Sequence, residues 1–151
     1  MTDPEGQIIF LDTPGIHKPL HRLNERMMRF MLDSLQHIDL VMLIVDASTS
    51  HGRGDEFALD LIRKVQTRRY LLLNKIDKIP KRQLLPQITR YSEAVRFDHI
   101  VPISAKTGDG VDALKIEIYK CLPEGPLYFP REQPTDQSER FLVSEVIREK
   151  L

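Results

Sequence analysis

Residues 69–77 read RYLLLNKID, a continuous apolar run followed at once by Asn74, Lys75, Ile76 and Asp77. Three further runs share its character. They are Gln7–Leu11, Leu40–Val45 and His99–Ile103. Continuous rather than alternating Ile, Val and Leu is typical of strands buried on both faces of a parallel sheet. The four runs therefore predict four strands of one such sheet.

Helical periodicity follows each predicted strand. Apolar residues recur three or four positions apart within residues 23–35, 57–65, 84–95 and 111–122. Alternation of strands and helices at this spacing predicts βαβ units. The sequence thus indicates an α/β fold with a doubly wound, mainly parallel sheet.

Composition narrows the class of protein. The 151 residues include 22 basic and 22 acidic side chains, so net charge favours neither nucleic acid nor membrane as a partner. The single cysteine, Cys121, leaves no disulfide partner within the chain. The longest apolar run, Leu40–Val45, is too short to span a bilayer, and the polar N-terminus differs from a signal peptide. We expect a cytoplasmic protein.

A change in composition at Leu122-Pro123-Glu124-Gly125-Pro126 marks a boundary. Residues 124–137 contain Pro130 and Pro134 and show no periodicity, which is typical of a linker. Residues 138–151 carry a new helical pattern that Ser138 is suited to cap. We therefore expect a first domain at 1–123, a linker at 124–137 and the start of a second domain at 138–151.

Chemistry-bearing residues follow three of the predicted strands, where ligands bind in open α/β sheets. The first group is Asp12-Thr13-Pro14-Gly15. An Asp at a strand tip can hold Mg²⁺ through water, and a following glycine lets its N–H approach a phosphate oxygen. A simple turn explains these four residues equally well.

The second group, Asn74-Lys75-Ile76-Asp77, has the pattern of a guanine-reading loop. The Asp77 carboxylate can accept hydrogen bonds from N1–H and the exocyclic amine of guanine, a pair of donors that adenine lacks on that edge. Lys75 can lay its aliphatic stem along the base, and Asn74 can bridge neighbouring loops. The tetrapeptide alone is a weak signal because its residues are common in loops.

The third group is Ser104-Ala105-Lys106, after the run His99–Ile103. The Ala105 N–H can reach the guanine O6, and Lys106 can cover the other side of the base. This tripeptide alone has almost no predictive value. All three groups together, each directly after a buried strand, have the order that a P-loop GTPase requires and predict a GTP/GDP site.

With these motifs the sequence resembles the translation-factor class of P-loop GTPases, and within it the bacterial Era family. The resemblance rests on five stretches. They are GQIIFLDTPGIHKPLHRLN, VMLIVDAS, LLLNKIDKI, PISAKTGDGVDAL and the tail PEGPLYFP…TDQSERFLVSEVIREK. The tail resembles the family's linker and the first helix of its C-terminal KH domain, so the chain looks like a partial P-loop GTPase followed by a truncated KH domain.

The resemblance also implies roles for residues. Asp12 would serve Mg²⁺ through water, and the segment Asp12, Thr13, Pro14, Gly15 and Ile16 would contact the γ-phosphate and begin switch II. Asn74–Asp77 would read guanine, and Ser104–Lys106 would close the pocket. Ile16 occupies the position where Ras-like enzymes place a water-orienting Gln, so no catalytic residue is assigned and hydrolysis should be slow. The implied partners are 16S rRNA, the small ribosomal subunit and, peripherally, the inner face of the cell membrane.

Three family features are missing from the sequence: a GxxxxGK[ST] loop, the switch I threonine and the GxxG loop of the KH domain. Two alternatives therefore stay open, a pseudo-GTPase that only binds a partner and a truncated gene product without independent function. In the family, the P-loop strand lies between the strands that correspond to Gln7–Leu11 and Leu40–Val45. Without it these two strands should either pair directly or leave their edges open.

We therefore expect the purified chain to be marginally stable, because an unpaired apolar strand edge forfeits hydrogen bonds and burial. Its thermal unfolding should be broad, with a midpoint below the roughly 45–65 °C of ordinary mesophilic domains. Circular dichroism at 222 nm during a temperature ramp measures this. A sharp, cooperative transition at high temperature would contradict the expectation.

Overall fold

The computed structural model of the protein describes residues 1–11, 38–131 and 147. The chain divides into two compact units, one formed by Met1–Leu11 with Glu124–Leu151 and the other by Asp12–Pro123. The larger unit carries the helices and the main sheet, and the smaller one carries a short hairpin.

The main sheet has three parallel strands in the order β3-β4-β5. They are β3 (Leu40–Asp46), β4 (Arg68–Asn74) and β5 (His99–Pro102). The register pairs Asp46 with Asn74 and Leu73 with Pro102, so all three strands end at one edge. The α/β fold with a parallel sheet is thereby confirmed, as are three of the four predicted strands.

The fourth predicted strand, Gln7–Leu11, is wrong as a member of this sheet. Instead, β2 (Gly6–Gln7) pairs antiparallel with β1 (Thr2–Asp3) in a separate hairpin. Ile8 is buried, whereas the exposed fraction rises from 43% at Ile9 to 66% at Leu11. A tight local hairpin closes a short loop at low entropic cost, while an apolar run becomes a buried strand only where neighbouring strands accept its hydrogen bonds. Among the described strands, none pairs with the second edge of β3.

Three helices follow the strands of the main sheet. They are α1 (Arg53–Ile62), α2 (Leu84–Ala94) and α3 (Val111–Cys121). Single 3-10 turns cover Ile76–Lys78 and Lys81–Gln83. The helices predicted within 57–65, 84–95 and 111–122 are thus confirmed. Those predicted within 23–35 and 138–151 lie outside the described residues, apart from residue 147.

The core lies between one face of the sheet and helices α1 and α2. Alternate residues of β3 and β4 point to this face, as the two-residue period of a strand requires. The buried cluster is Val41, Leu43, Val45, Ala47, Ala58, Leu59, Ile62, Val65, Leu71, Leu73, Tyr91 and Val95. Such burial stabilises the fold by about 25 cal/mol per Å² of apolar surface removed from water.

Helix α3 covers the opposite face of β4. The Tyr70 hydroxyl donates a hydrogen bond to the Glu117 carbonyl oxygen at 3.1 Å, and Leu114 and Ile118 are buried in the same helix. With helices on both faces, β4 is buried at four consecutive positions, 70–73. On the neighbouring strand Ile44 is 59% exposed, so this face of β3 is less covered.

The smaller unit ties the beginning of the chain to residues 128 and 129. The Gln7 side-chain oxygen accepts the N–H groups of Tyr128 and Phe129, both at 3.0 Å. Its nitrogen donates to the Phe129 carbonyl oxygen and to the Thr2 hydroxyl, also at 3.0 Å. One glutamine thus satisfies backbone groups of a segment that has no strand partner. No helix in the described part of the chain is long and apolar enough to cross a bilayer.

Alkaline pH should destabilise the protein. Burial raises the pKa of both Tyr70 and Tyr91 from 10.0 to about 12. Between pH 10 and 12 the unfolded chain loses protons that the folded chain keeps, so stability present below pH 10 is lost as pH rises to 12. A difference of one in pKa corresponds to about 1.4 kcal/mol. Urea unfolding at pH 9, 10, 11 and 12 measures the decline.

The variant Tyr91→Phe is the control, because it cannot titrate at that position. Its free energy of unfolding should be lower than that of the unaltered chain at pH 9 but should fall less steeply above pH 10. Equal slopes for the two proteins would contradict the assignment.

Candidate functional site

The carboxyl ends of the three strands bring together the residues that the motifs predict. Asn74 ends β4 and begins the loop 74–78, and Ser104 lies two residues beyond the end of β5. Asp46 ends β3 and is the register partner of Asn74. Parallel pairing alone therefore gathers side chains that are about 30 residues apart in sequence onto one edge of the sheet.

Two hydrogen bonds join the loop 74–78 to the loop 104–110. The Ser104 hydroxyl donates to Asp77 Oδ1 at 2.6 Å, and the Ala105 N–H donates to Asn74 Oδ1 at 3.0 Å. Asn74 Oδ1 also accepts the Lys75 N–H at 2.8 Å. The amide of Asn74 thus bridges the two loops, as the sequence predicts, so the two segments lie side by side.

Ser104 anchors the second loop because all of its polar groups are satisfied inside the protein. It has no exposed surface. Its N–H donates to the Asp109 carbonyl oxygen and its own carbonyl accepts the Gly108 N–H, both at 2.9 Å. Its hydroxyl oxygen also accepts the Thr107 N–H at 3.2 Å. A buried hydroxyl with this many partners fixes its own position and therefore that of the Asp77 carboxylate.

Asp77 presents an ionised carboxylate at the surface. The hydrogen bond from Ser104 is the main cause that lowers the pKa of Asp77, and Lys106 and Lys78 lower it further by their charge. A carboxylate has about four acceptor positions, so one donated hydroxyl leaves capacity for further donors. The arrangement can accept two N–H groups from an external ligand.

Lys75 lies at the same edge with an unusual backbone. Its φ of 66° is left-handed, which no other described residue except glycine shares. Such a conformation is strained in residues with a side chain and is concentrated at functional sites. Its ammonium nitrogen lies 2.6 Å from Asp46 Oδ2, and this pair joins the ends of β3 and β4.

Two residues that the sequence assigns to the base have partners within the protein. The Ala105 N–H, which the sequence assigns to the guanine O6, donates here to Asn74, so a base oxygen would have to share or replace that acceptor. The Lys75 ammonium group is held by Asp46.

Ile76 is partly buried, and its N–H donates to the Ile103 carbonyl oxygen at 3.2 Å, so this residue fastens the loop. Lys106 is exposed beside Asp77.

The predicted phosphate and Mg²⁺ segment, Asp12–Ile16, lies outside the described residues. Within residues 1–11 and 38–131, no three His, Cys, Asp or Glu side chains come together in a way that could hold a metal ion. The described part of the site therefore consists of the loops 74–78 and 104–110 with the end of β3 at Asp46.

A comparison with known protein families decides the class. Residues 2–124 match the family of elongation factor Tu GTP binding domains. The chain belongs to this family. The match covers the main sheet, its three helices and both loops of the site.

Individual relatives are similar over the whole chain. It is 46% identical over 151 residues to GTPase Era of Staphylococcus haemolyticus, covering 100% of this chain and 50% of the relative. It is 42% identical over 150 residues to GTPase Era of Clostridium botulinum strain Kyoto, covering 99% and 51%. The chain therefore spans about half the length of these relatives, and the resemblance to Era predicted from the motifs is confirmed.

Solved structures agree with the fold. An Era variant of Aquifex aeolicus bound to GDP·AlF₄⁻ superposes with a TM-score of 0.81 at 37% identity, covering 98% of this chain and 51% of that one. The elongation factor SelB of Methanococcus maripaludis superposes at 0.59 with 22% identity, covering 82% and 26%, which shows the shared fold alone.

The sequence motifs miss two residues that shape the site. One is Asp46, which belongs to none of the three predicted groups. Its position at the end of a strand beside β4 is the signal that could have placed it near Lys75. The other is Gly110, at the end of the loop 104–110, with a φ of 75°. A Cβ there would overlap the Pro102 carbonyl oxygen and lie 3.2 Å from Ile103 Cγ2.

Gly110→Ala should therefore displace the loop that holds Ser104. We expect a loss of about 1–3 kcal/mol in the free energy of unfolding, because both the positive φ and the steric overlap oppose a methyl group. Gly54→Ala is the matched control, since nothing lies within 4 Å of its added Cβ. Gly54 is the second residue of α1, so that change should leave the free energy of unfolding unchanged or raise it slightly. Urea unfolding of both variants measures the difference, and equal effects would refute the steric argument.

Proposed function

We propose that the two joined loops read the guanine base of GTP or GDP. In this proposal the Asp77 carboxylate accepts hydrogen bonds from N1–H and from the exocyclic amine of guanine. Lys75 and Lys106 cover the two sides of the base, and the Ala105 N–H approaches O6. Asn74 holds the loops together, and Ser104 orients Asp77.

One observation supports the proposal above the others. The hydrogen bond between Ser104 Oγ and Asp77 Oδ1 fixes an exposed, ionised carboxylate at the carboxyl edge of a parallel sheet. Because the acceptor is already ordered, less conformational entropy is lost when the ligand binds, which favours affinity and selectivity. Because adenine offers no matching pair of donors on that edge, the same carboxylate would reject it.

The remaining parts of the proposal follow from the resemblance to Era. Asp12 would hold Mg²⁺ through a water molecule, and Gly15 would donate its N–H to the γ-phosphate. Thr13 and Pro14 would shape this turn, and Ile16 would leave the attacking water without a glutamine to orient it. The reaction would be slow GTP hydrolysis, coupled to binding of 16S rRNA and assembly of the small ribosomal subunit. We place the protein in the cytoplasm and, peripherally, at the inner face of the cell membrane.

We further propose that this chain by itself binds nucleotide weakly. Residues 1–151 contain no GxxxxGK[ST], the loop whose amides, lysine and hydroxyl contact phosphates and Mg²⁺ in P-loop proteins. Contacts to phosphate are charge-assisted and numerous, so their loss removes most of the affinity. The same observation favours a second candidate function, a pseudo-GTPase module that binds a partner through this fold.

The expected result is weak but guanine-selective binding that depends on Asp77. Amide chemical shifts of the loops 74–78 and 104–110 should move during a titration with GDP and stay unchanged with ADP. Asp77→Ala should weaken the interaction by about 10–100-fold, the loss typical of one charged hydrogen-bonding partner. Two-dimensional ¹H–¹⁵N NMR with up to millimolar nucleotide measures this directly.

Glu93→Ala is the matched control, because Glu93 is an exposed carboxylate on α2 and should leave the titration unchanged. Equal responses to GDP and ADP would refute guanine reading, as would a response that survives Asp77→Ala. Micromolar affinity for GDP would refute the proposed weakness while leaving guanine reading intact.

A further inference from the structure

Asp46 stands at the site without a role in guanine reading. It ends β3 as the register partner of Asn74, which begins the guanine-reading loop. The Ala47 N–H donates to the Asn74 carbonyl oxygen at 2.8 Å, so the two strand ends are fastened to each other. Gln87 of α2 donates to the Ala47 carbonyl oxygen at 2.9 Å and holds the segment from the other side.

The carboxylate of Asp46 is also held by hydrogen bonds from its own loop. Its Oδ1 accepts the Ser48 N–H at 2.9 Å and the Ser48 hydroxyl at 2.6 Å. Thr49 donates its hydroxyl to the Asp46 carbonyl oxygen at 3.0 Å. These bonds leave Oδ2 directed at the Lys75 ammonium nitrogen, 2.6 Å away.

The Asp46 carboxylate is ionised at neutral pH. The hydrogen bond from Lys75, followed by those from Ser48, holds the pKa of Asp46 well below its ordinary value. Around the carboxylate, Lys75 is the cation supplied by the loop after β4, and Ser48 is the donor supplied by the loop after β3. The contact is thus a standing feature of the site and not a response to protonation.

The Lys75 side chain is long and flexible, so a restraint on its ammonium group limits its conformations. Its side chain is 45% exposed and has four rotatable bonds. An unrestrained lysine loses conformational entropy about these bonds when a ligand orders it. Holding the ammonium group at a fixed point orders the aliphatic stem in advance. The same residue is already committed to a left-handed backbone, and its N–H is bound to Asn74 Oδ1.

We propose that Asp46 is a positioning residue of the guanine site, which acts by holding Lys75 so that its stem forms an ordered wall for the base. This inference rests on the proposed function, because it names a residue that prepares the same site. It assigns Asp46 no contact with the nucleotide.

Most surface ion pairs contribute little to protein stability, and the chain contains such a pair for comparison. Arg63, the residue directly after α1, pairs with Asp60 three residues earlier, and their side chains are 47% and 60% exposed. Asp46 differs because its side chain is only 27% exposed, because Ser48 anchors it, and because the pair links two strand ends 29 residues apart. Asp60→Asn is therefore a matched control that removes an ion pair away from the site.

The test combines two measurements on the full chain. First, GDP titrations followed by NMR compare Asp46→Asn, Lys75→Met, the double variant and Asp60→Asn. Each single change at the pair should weaken GDP binding about threefold, the range of a restrained surface pair. The double variant should bind no more weakly than Lys75→Met alone, because Asp46 acts only through Lys75. Asp60→Asn should bind as the unaltered chain does.

Second, the rate of Lys75 acetylation by N-hydroxysuccinimidyl acetate, read by mass spectrometry without nucleotide, reports the restraint itself. We expect this rate to rise severalfold in Asp46→Asn, by less in Ser48→Ala and not at all in Asp60→Asn. Asparagine keeps the shape and the Ser48 acceptor, and equal melting temperatures verify that each variant is folded.

Additive losses in the double variant would overturn the inference, because they would mean that Asp46 acts independently of Lys75. An unchanged acetylation rate in Asp46→Asn would overturn it as well. If the unaltered chain shows no preference for GDP over ADP, the proposed function fails. That failure is distinguishable, because the acetylation rate is measured without nucleotide.

Discussion

The parallel pairing of β3, β4 and β5 is the constraint on which the rest of this structure depends. Four consecutive residues of β4 are buried because helices cover both of its faces and strands flank both of its edges. Parallel strands necessarily end at the same edge, so Asp46, Asn74 and the start of the loop at Ser104 arrive there together. The site is a consequence of how the core is built.

Hydrogen bonds also join the loops at that edge. Ser104 is fully buried. Its hydroxyl donates to Asp77 and accepts the Thr107 N–H, and its backbone groups bond to residues of its own loop. Gly110 allows this loop to turn back against the end of β5, where a side chain would not fit. Because these contacts are formed within the protein, the Asp77 carboxylate is held in position without any ligand.

Two carboxylates at one edge have different chemistry because they have different partners. Asp77 receives one hydroxyl donor and remains exposed, so it retains capacity to accept hydrogen bonds. Asp46 receives two donors from Ser48 and an ammonium group from Lys75, so it is committed to internal contacts. The pKa of each lies below its ordinary value, yet only Asp77 is disposed toward a ligand. Residue type alone does not distinguish them.

The sequence by itself determined the strands within 40–45, 69–73 and 99–103, the helices after them and the positions of the two polar segments, 74–77 and 104–106, that follow β4 and β5. These features are readable because a buried strand needs a continuous apolar run and a covered helix needs a periodic one. Only the tertiary structure decided that residues 6–7 form a hairpin, that the Ala105 N–H binds Asn74 and that Lys75 binds Asp46. The loop contacts join residues 27 to 31 positions apart, and which polar groups meet across such a separation depends on distances that only strand pairing sets.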